Sequence, residues 1–167
     1  MIDIRPEDPA RDADAIEALY DATFGPGHFA KTAERLREFS VSLPALSRVA
    51  DKSGEIVGVC RIWPVEIETG PSAVLAGPVA VAEPERGRLL SIDLARAALQ
   101  ASKQAGWGTA ILIGALSLFE RAGFRPAAAG SLILPGPVDP ARVLIADLNG
   151  DADALAGAVS APRAARP

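Results

Sequence analysis

Arg86-Gly-Arg88 stands between an apolar run, Leu75 to Ala82, and a long amphipathic segment that opens at Leu89. The order reads as strand, charged turn (Glu83 to Arg88), helix. A helix N-terminus carries partial positive charge and free backbone N–H groups. Arginines at that end have the wrong sign for helix stability and the right sign for holding an anion. The chemistry predicted here is binding of a phosphate-bearing ligand. A plainer arrangement uses the same residues: Glu83 and Glu85 pair with the arginines in a solvated loop.

Few other residues carry obvious chemistry. The single histidine, His28, leaves no histidine-based metal site to expect, and the single cysteine, Cys60, allows neither an internal disulfide nor a multi-cysteine metal site. Cys60 lies in an apolar run and reads as a buried, inert thiol. With 167 residues, 49% of them hydrophobic and 23% charged, the chain is long enough for one well-buried core. A net charge of −4 argues against a general nucleic-acid binder. No apolar run approaches the ~18 residues of a membrane span, and Met-Ile-Asp-Ile-Arg5 lacks signal-peptide character. A cytoplasmic protein without nucleic-acid or membrane partners is the expectation.

The elements that must position the turn follow from periodicity. Ile2 to Arg5 alternates as a first strand, and Pro6 and Pro9 break regular structure after it. Asp14-x-x-Glu17 has capping-box spacing, and Ile16, Leu19, Tyr20 and Phe24 share the inner face of a first helix. Gly25-Pro-Gly27 ends it; a second helix from Ala30 or Lys31 would turn Leu36, Phe39 and Leu43 inward. Leu46 to Ala50 and Glu55 to Val65 form a hairpin about Asp51-Lys-Ser-Gly54, and Ala73 to Ala82 adds a third antiparallel strand after Thr69-Gly-Pro-Ser72. Pro78 lies inside that strand and cannot donate to a ladder, so the strand is expected to be unpaired or bulged there. In the next helix Leu90, Leu94, Ala97, Ala98, Ala101 and Ala105 share a face of mostly small residues, and Gly106 ends it. Thr109 to Ile113 reads as a buried parallel strand, which completes a right-handed crossover. Ser117-x-x-Glu120 is a second capping-box match, closed by Ala122-Gly-Phe124. Strands over Arg125 to Leu134 and Arg142 to Leu148 complete a single domain, 1–150, with an Ala/Pro-rich tail over 151–167.

Element order and four stretches together carry a resemblance: Gly77-Pro-Val-Ala-Val81, Arg86-Gly-Arg88, Phe119-Glu-Arg-Ala-Gly-Phe124 and Leu134-Pro-Gly-Pro-Val138. The chain resembles the GNAT superfamily of N-acetyltransferases, in particular its bacterial branch of predicted acetyltransferases. The resemblance implies an α/β (α+β) fold. A mixed sheet of about six to seven strands, split into a V between the fourth and fifth, would be flanked by about four helices. It implies acetyl-CoA in the split as co-substrate, with no metal. Backbone at Val79, Ala80 and Val81 would hold the pantetheine arm, Arg86, Gly87, Arg88, Leu89, Leu90 and Ser91 the pyrophosphate, and Gly114 to Phe119 the far side.

The chain departs from the family pattern at three positions. Leu89 stands where the pyrophosphate turn has its first key glycine, and Ser91 where it has its second small residue. Phe119 stands where many members carry a tyrosine that protonates the leaving thiolate, and Ser117 is the nearby hydroxyl, or else an N-cap. In such a fold Glu66 and Glu68, after Trp63-Pro64, would lie near the acceptor cleft as a base or an ammonium-binding carboxylate, or as exposed turn residues. His28 would fall in a loop lining that cleft, while Tyr20, Trp63 and Trp107 read as packing residues. Two functions follow. One is acetyl transfer to a small amine or amino-acid-like acceptor by direct attack in a ternary complex. The other is a module of this fold that binds a CoA-like ligand or a protein partner without turnover. A homodimer through a C-terminal edge strand is compatible with either.

Overall fold

The computed structural model describes residues 1–25, 32–38 and 40–163. In chain order the elements are β1 (Ile2–Pro6), α1 (Pro9–Phe24), α2 (Thr32–Arg37), β2 (Arg48–Lys52), β3 (Glu55–Thr69), β4 (Ala73–Val81), α3 (Leu90–Gln104), β5 (Thr109–Ile113), α4 (Leu116–Phe119), β6 (Arg125–Pro126), β7 (Leu132–Ile133), β8 (Val143–Asp147) and β9 (Ala156–Ser160). The sheet runs β1-β2-β3-β4-β5-β8-β6, and β9 joins β3 to β7. β1 to β4 form the antiparallel meander, β5 pairs with β4 in parallel, and β8 returns antiparallel to β5.

The hairpin between β2 and β3 turns on Ser53 and Gly54, both at positive φ (55° and 94°). That pairing twists with the flanking strands, and Asp51 Oδ1 accepts the Gly54 N–H at 2.7 Å to fix it.

Apolar side chains from both sheet faces are buried against helices. On one face α3 lays Leu94, Ala95, Ala98 and Ala101 on Val57, Cys60, Val74, Ala110 and Leu144. The small residues let the helix sit close. At Gly58 a Cβ would come within 2.7 Å of Leu94 Cδ1 and 3.2 Å of the Ala50 Cβ, so glycine there permits the approach. On the other face α1 covers Val49, Val59 and Ala80 with Ile16, Leu19 and Tyr20. Farther along, Leu36 of α2 packs with Leu75, Ile111, Ile145, Leu155 and Val159. Each such aliphatic side chain contributes about 1.5–3 kcal/mol by leaving water.

Several boundaries differ from the sequence expectations, each for a local reason. α1 begins at Pro9, not near Asp14: Asp8 is the N-cap and accepts the Ala10 N–H at 3.1 Å. Pro9 starts the helix instead of breaking structure, since the first helical position has no N–H to lose. α4 is capped by Ala115 with no side-chain hydrogen bond, so Ser117 lies inside the helix, exposed, and caps nothing. The stretch after residue 150 is not a loose tail. Leu155 and Val159 are buried and β9 pairs with β3, which brings residues 151–163 into the domain. The expectations on Pro26, Gly27, His28, Ala30, Lys31, Phe39 and the last four residues fall outside the described residues.

Candidate functional site

β4 and β5 are paired only at Ala73–Thr109, Val74–Ala110 and Leu75–Ile111. Beyond Leu75 the strands part. β4 continues to Val81 beside β3, while Leu112 and Ile113 of β5 continue beside β8. The parting begins where β4 is bulged: Cys60 faces Val79 and Ile62 faces Ala76, so Gly77 and Pro78 together oppose Arg61. A bulge leaves backbone groups without ladder partners, and side chains take them here. Trp63 Nε1 donates to the Gly77 carbonyl at 2.9 Å, and the Tyr20 hydroxyl donates to the Pro78 carbonyl at 3.0 Å.

Past the bulge, strand alternation sets which way the backbone faces. The Ala82 N–H donates to Val57 and Ala80 is in register with Val59, so these residues face β3. Val79 and Val81 therefore turn their N–H and C=O groups to the opposite side, toward the opening.

A cavity of about 660 Å³ fills the split. Pro78, Val79, Leu112, Gly114, Leu118 and Phe119 give it apolar walls, and Arg37, Asp139 and Arg142 are its charged lining residues. The Gly114 N–H donates to the Arg142 carbonyl at 2.9 Å. A Cβ on Gly114 would meet Leu112 Cδ2 at 2.7 Å and the Phe119 ring at 2.9 Å, so glycine keeps the β5 end of the cavity open. Phe119 is buried edge-on against Phe124.

The turn into α3 continues the line of β4. Gly87 has φ 81° and Leu89 has φ 61°, ψ 10°, the left-handed region. Leu89 thus adopts the backbone that glycine takes freely, at a cost of roughly 1–2 kcal/mol for a residue with a Cβ. Its side chain is 49% exposed, while neighbouring Leu90 is buried. Among the described residues nothing accepts a hydrogen bond from the N–H groups of Gly87 to Ser91. The arginines divide their roles. Arg86 Nε donates to the Val81 carbonyl at 3.1 Å and ties the turn to the strand. Arg88 is largely exposed and reaches Glu85 at 3.5 Å. Glu85 is buried and also takes Lys52 Nζ at 2.5 Å, and the lysine holds its carboxyl below the usual range. The ion pairing expected of a plain solvated loop is present for Arg88 and absent for Arg86.

Glu66 does not reach the split. Its carboxylate accepts the Arg163 N–H at 3.0 Å and lines a separate cavity with Glu68, Ser160 and Arg163. β3 is a long strand, and Glu66 lies on the stretch of it that pairs with β9, beyond the part that β4 covers. The same holds for Glu68, which packs over Gly157. Ser117 does not line the split either. Three charged or aromatic groups at the split escape sequence reasoning. Arg37, next to the inward Leu36, falls between the helix faces; Trp63 and Arg142 become part of the site only through folding. No metal cluster of three or more His, Cys, Asp or Glu side chains exists among the described residues. No helix among them is long and apolar enough to cross a membrane.

Against solved structures the chain superposes with TM-score 0.78 on the GNAT-family N-acetyltransferase YhbS of Escherichia coli, crystallised with CoA. The two are 28% identical over 96% of this chain and 89% of that one. It superposes with TM-score 0.69 on a GNAT-family acetyltransferase of Brucella melitensis crystallised with acetyl-CoA, 26% identical over 98% and 97% of the two chains. The chain has the GNAT N-acetyltransferase fold. An IAA acetyltransferase of Bacillus cereus shares that fold at 20% identity and TM-score 0.58, over 89% of this chain and 100% of that one. No family model and no curated protein matches the chain by sequence. The GNAT fold is thus legible here in three dimensions, with the V-split, the bulged fourth strand and a helix opening at its end.

Proposed function

We propose that the protein is an acyl-CoA-dependent N-acetyltransferase that moves an acetyl group from acetyl-CoA to a small amine. The observation that carries this reading is the succession of outward backbone groups along β4 and into the α3 turn. Outward backbone at Val79, and the outward N–H of Val81, whose carbonyl Arg86 takes, lead to the unpartnered N–H groups of Gly87 to Ser91. An amide-bearing pantetheine arm can pair with the strand backbone as another strand would. A pyrophosphate suits the N–H groups and positive end of a fifteen-residue helix. Leu90 pins the turn from inside, and Leu89 holds the glycine-like backbone with its side chain half in solvent.

The reaction follows from this placement. The amine nitrogen attacks the thioester carbonyl carbon in a ternary complex. The Val79 N–H stabilises charge developing on the carbonyl oxygen. The C–N bond forms, the C–S bond breaks, and CoA leaves as the thiolate. Among the described lining residues there is no tyrosine, histidine, cysteine or lysine to protonate it. Water at the open end of the split supplies that proton and takes the one lost by the amine. Glu66 lines a separate cavity and Ser117 is not among the residues lining the split, so neither is assigned a role in transfer in this proposal.

Isothermal titration with acetyl-CoA and CoA tests binding, and thiol release over an amine panel tests turnover. Saturable binding of both, with acceptor-dependent thiol release, is expected. No binding at millimolar concentration defeats the proposal. Binding without release on any amine would favour a non-enzymatic module.

A further inference from the structure

Two arginines and one aspartate, Arg37, Arg142 and Asp139, are the charged residues that line the split. Arg37 is the informative one. Its side chain is 7% exposed, on an apolar wall, yet only Nη2 is committed, to Glu34 Oε2 at 2.9 Å. Its guanidinium lies over the Trp63 ring, 6.0 Å from the centroid. A guanidinium has five N–H donors. The other donors of Arg37 have no hydrogen-bond acceptor among the described residues, although the residue lines the cavity. A buried cation with spare donors facing a cavity is arranged for an anion that arrives with a ligand.

Its position says which ligand. The α3 turn lies past the far end of β4, beyond Val81. Arg37 lies at the other end, over Trp63, which is in register with Leu75 at the point of parting and holds the Gly77 carbonyl. Val79 is two residues on, roughly 7 Å along a strand. Arg37 is therefore beyond the thioester as seen from the pyrophosphate turn, on the acceptor side. We propose that Arg37 is the carboxylate-binding residue of the acceptor pocket, and that the acceptor is an amino acid or a close analogue with a free carboxylate.

This inference rests on the acetyltransferase reading for the name acceptor, but the anion site stands on its own geometry. Arg142, exposed at the rim, adds charge of the same sign, and Asp139 is occupied in capping the turn at Pro140–Arg142 through the Ala141 N–H.

The test uses product analogues, so that it does not depend on turnover. The full chain, with and without CoA, is titrated with the twenty N-acetyl amino acids and with their carboxamides. At least one acid is expected to bind about 10- to 100-fold more tightly than its amide, the value of a charge-assisted pair. Arg37→Gln should abolish that discrimination and Arg37→Lys should restore it in part, while both variants still bind CoA. Equal affinity of every acid and its amide overturns the proposal, as does failure of every acid to bind. Retention of the preference in a folded Arg37→Gln protein overturns it too. So does displacement of the acids by inorganic phosphate at lower concentration. Should the variants not fold, the acid-to-amide ratio on the native chain still decides. Loss of CoA binding in the native chain would defeat the acetyltransferase reading without touching this ratio.

Discussion

The Tyr20 hydroxyl donates to the carbonyl oxygen of Pro78 at 3.0 Å, joining the inner face of α1 to the bulge where the sheet opens. Tyr20 is buried, and burial pushes its own ionisation far above the ordinary phenol range. It is therefore a structural donor and not an acid for the leaving thiolate. Tyr20→Phe leaves a buried carbonyl short of this donor, at a cost of about 1–2 kcal/mol. The expected outcome is a lower denaturant midpoint together with weaker acetyl-CoA binding, measured by chemical unfolding and titration. Unchanged binding would show that the bulge holds its shape without the tyrosine.

Leu89 offers a prediction of opposite sign. Its left-handed backbone carries a steric cost, and its half-exposed side chain returns little by burial. Leu89→Gly removes that cost and the Cβ at the turn into α3. Stability is expected to rise by up to about 1 kcal/mol, with CoA affinity rising as well. Leu90→Ala should do the reverse and cost about 2 kcal/mol or more, since Leu90 is buried against the core.

Gly114 sets the width of the cavity at β5. Gly114→Ala would push its methyl against Leu112 and Phe119. A rise in KM for acetyl-CoA with a smaller change in kcat is the expected result. The double variant Gly114→Ala/Phe119→Leu should recover part of the loss by making room.

Cys60 is fully buried, and desolvation raises its thiol to about 12. In the unfolded chain a thiol ionises near ~8.5. A group whose folded value is raised gives stability that is complete below the unfolded value and lost above it. Stability is thus expected to fall as pH rises from about 8.5 toward 12, and a Cys60→Ala protein should lack this part of the decline. The native thiol should also resist a disulfide reagent until denaturant is added, so thiol release in an activity assay reports CoA alone.

Acid acts through Asp12. Arg5 grips it with paired hydrogen bonds of 2.8 and 2.9 Å and holds its carboxyl below the ordinary range, helped by the Asp8 N–H. A lowered carboxyl gives stability that is present at neutral pH and lost as pH falls through and below ~3.9. Asp12→Asn is expected to cost about 2 kcal/mol at pH 7 and to flatten the acid side of the stability curve. Thermal melts between pH 3 and 8 measure both.

The sequence determined the parts whose signals are local. The hydrophobic period marked α3 and its small inner face. Pro78 announced the bulge because a residue without N–H cannot complete a ladder. The run from Gly77 to Ser91 announced a turn with free backbone donors at the start of α3, because helix ends leave donors unpaired. The Ala-rich stretch after residue 150 lacked a strand signal, because Ala156–Ser160 is held by pairing with β3 and β7 and not by its own propensity. Only the tertiary structure decided the site. Glu66 looked close to the split in sequence, yet the length of β3 carries it to a separate cavity. Arg37 carried no signal of its own in the sequence, and it joins the site because α2 sets it over Trp63, where β4 and β5 part. Which charges share a cavity depends on contacts between elements far apart in the chain, and no local pattern of residues encodes those contacts.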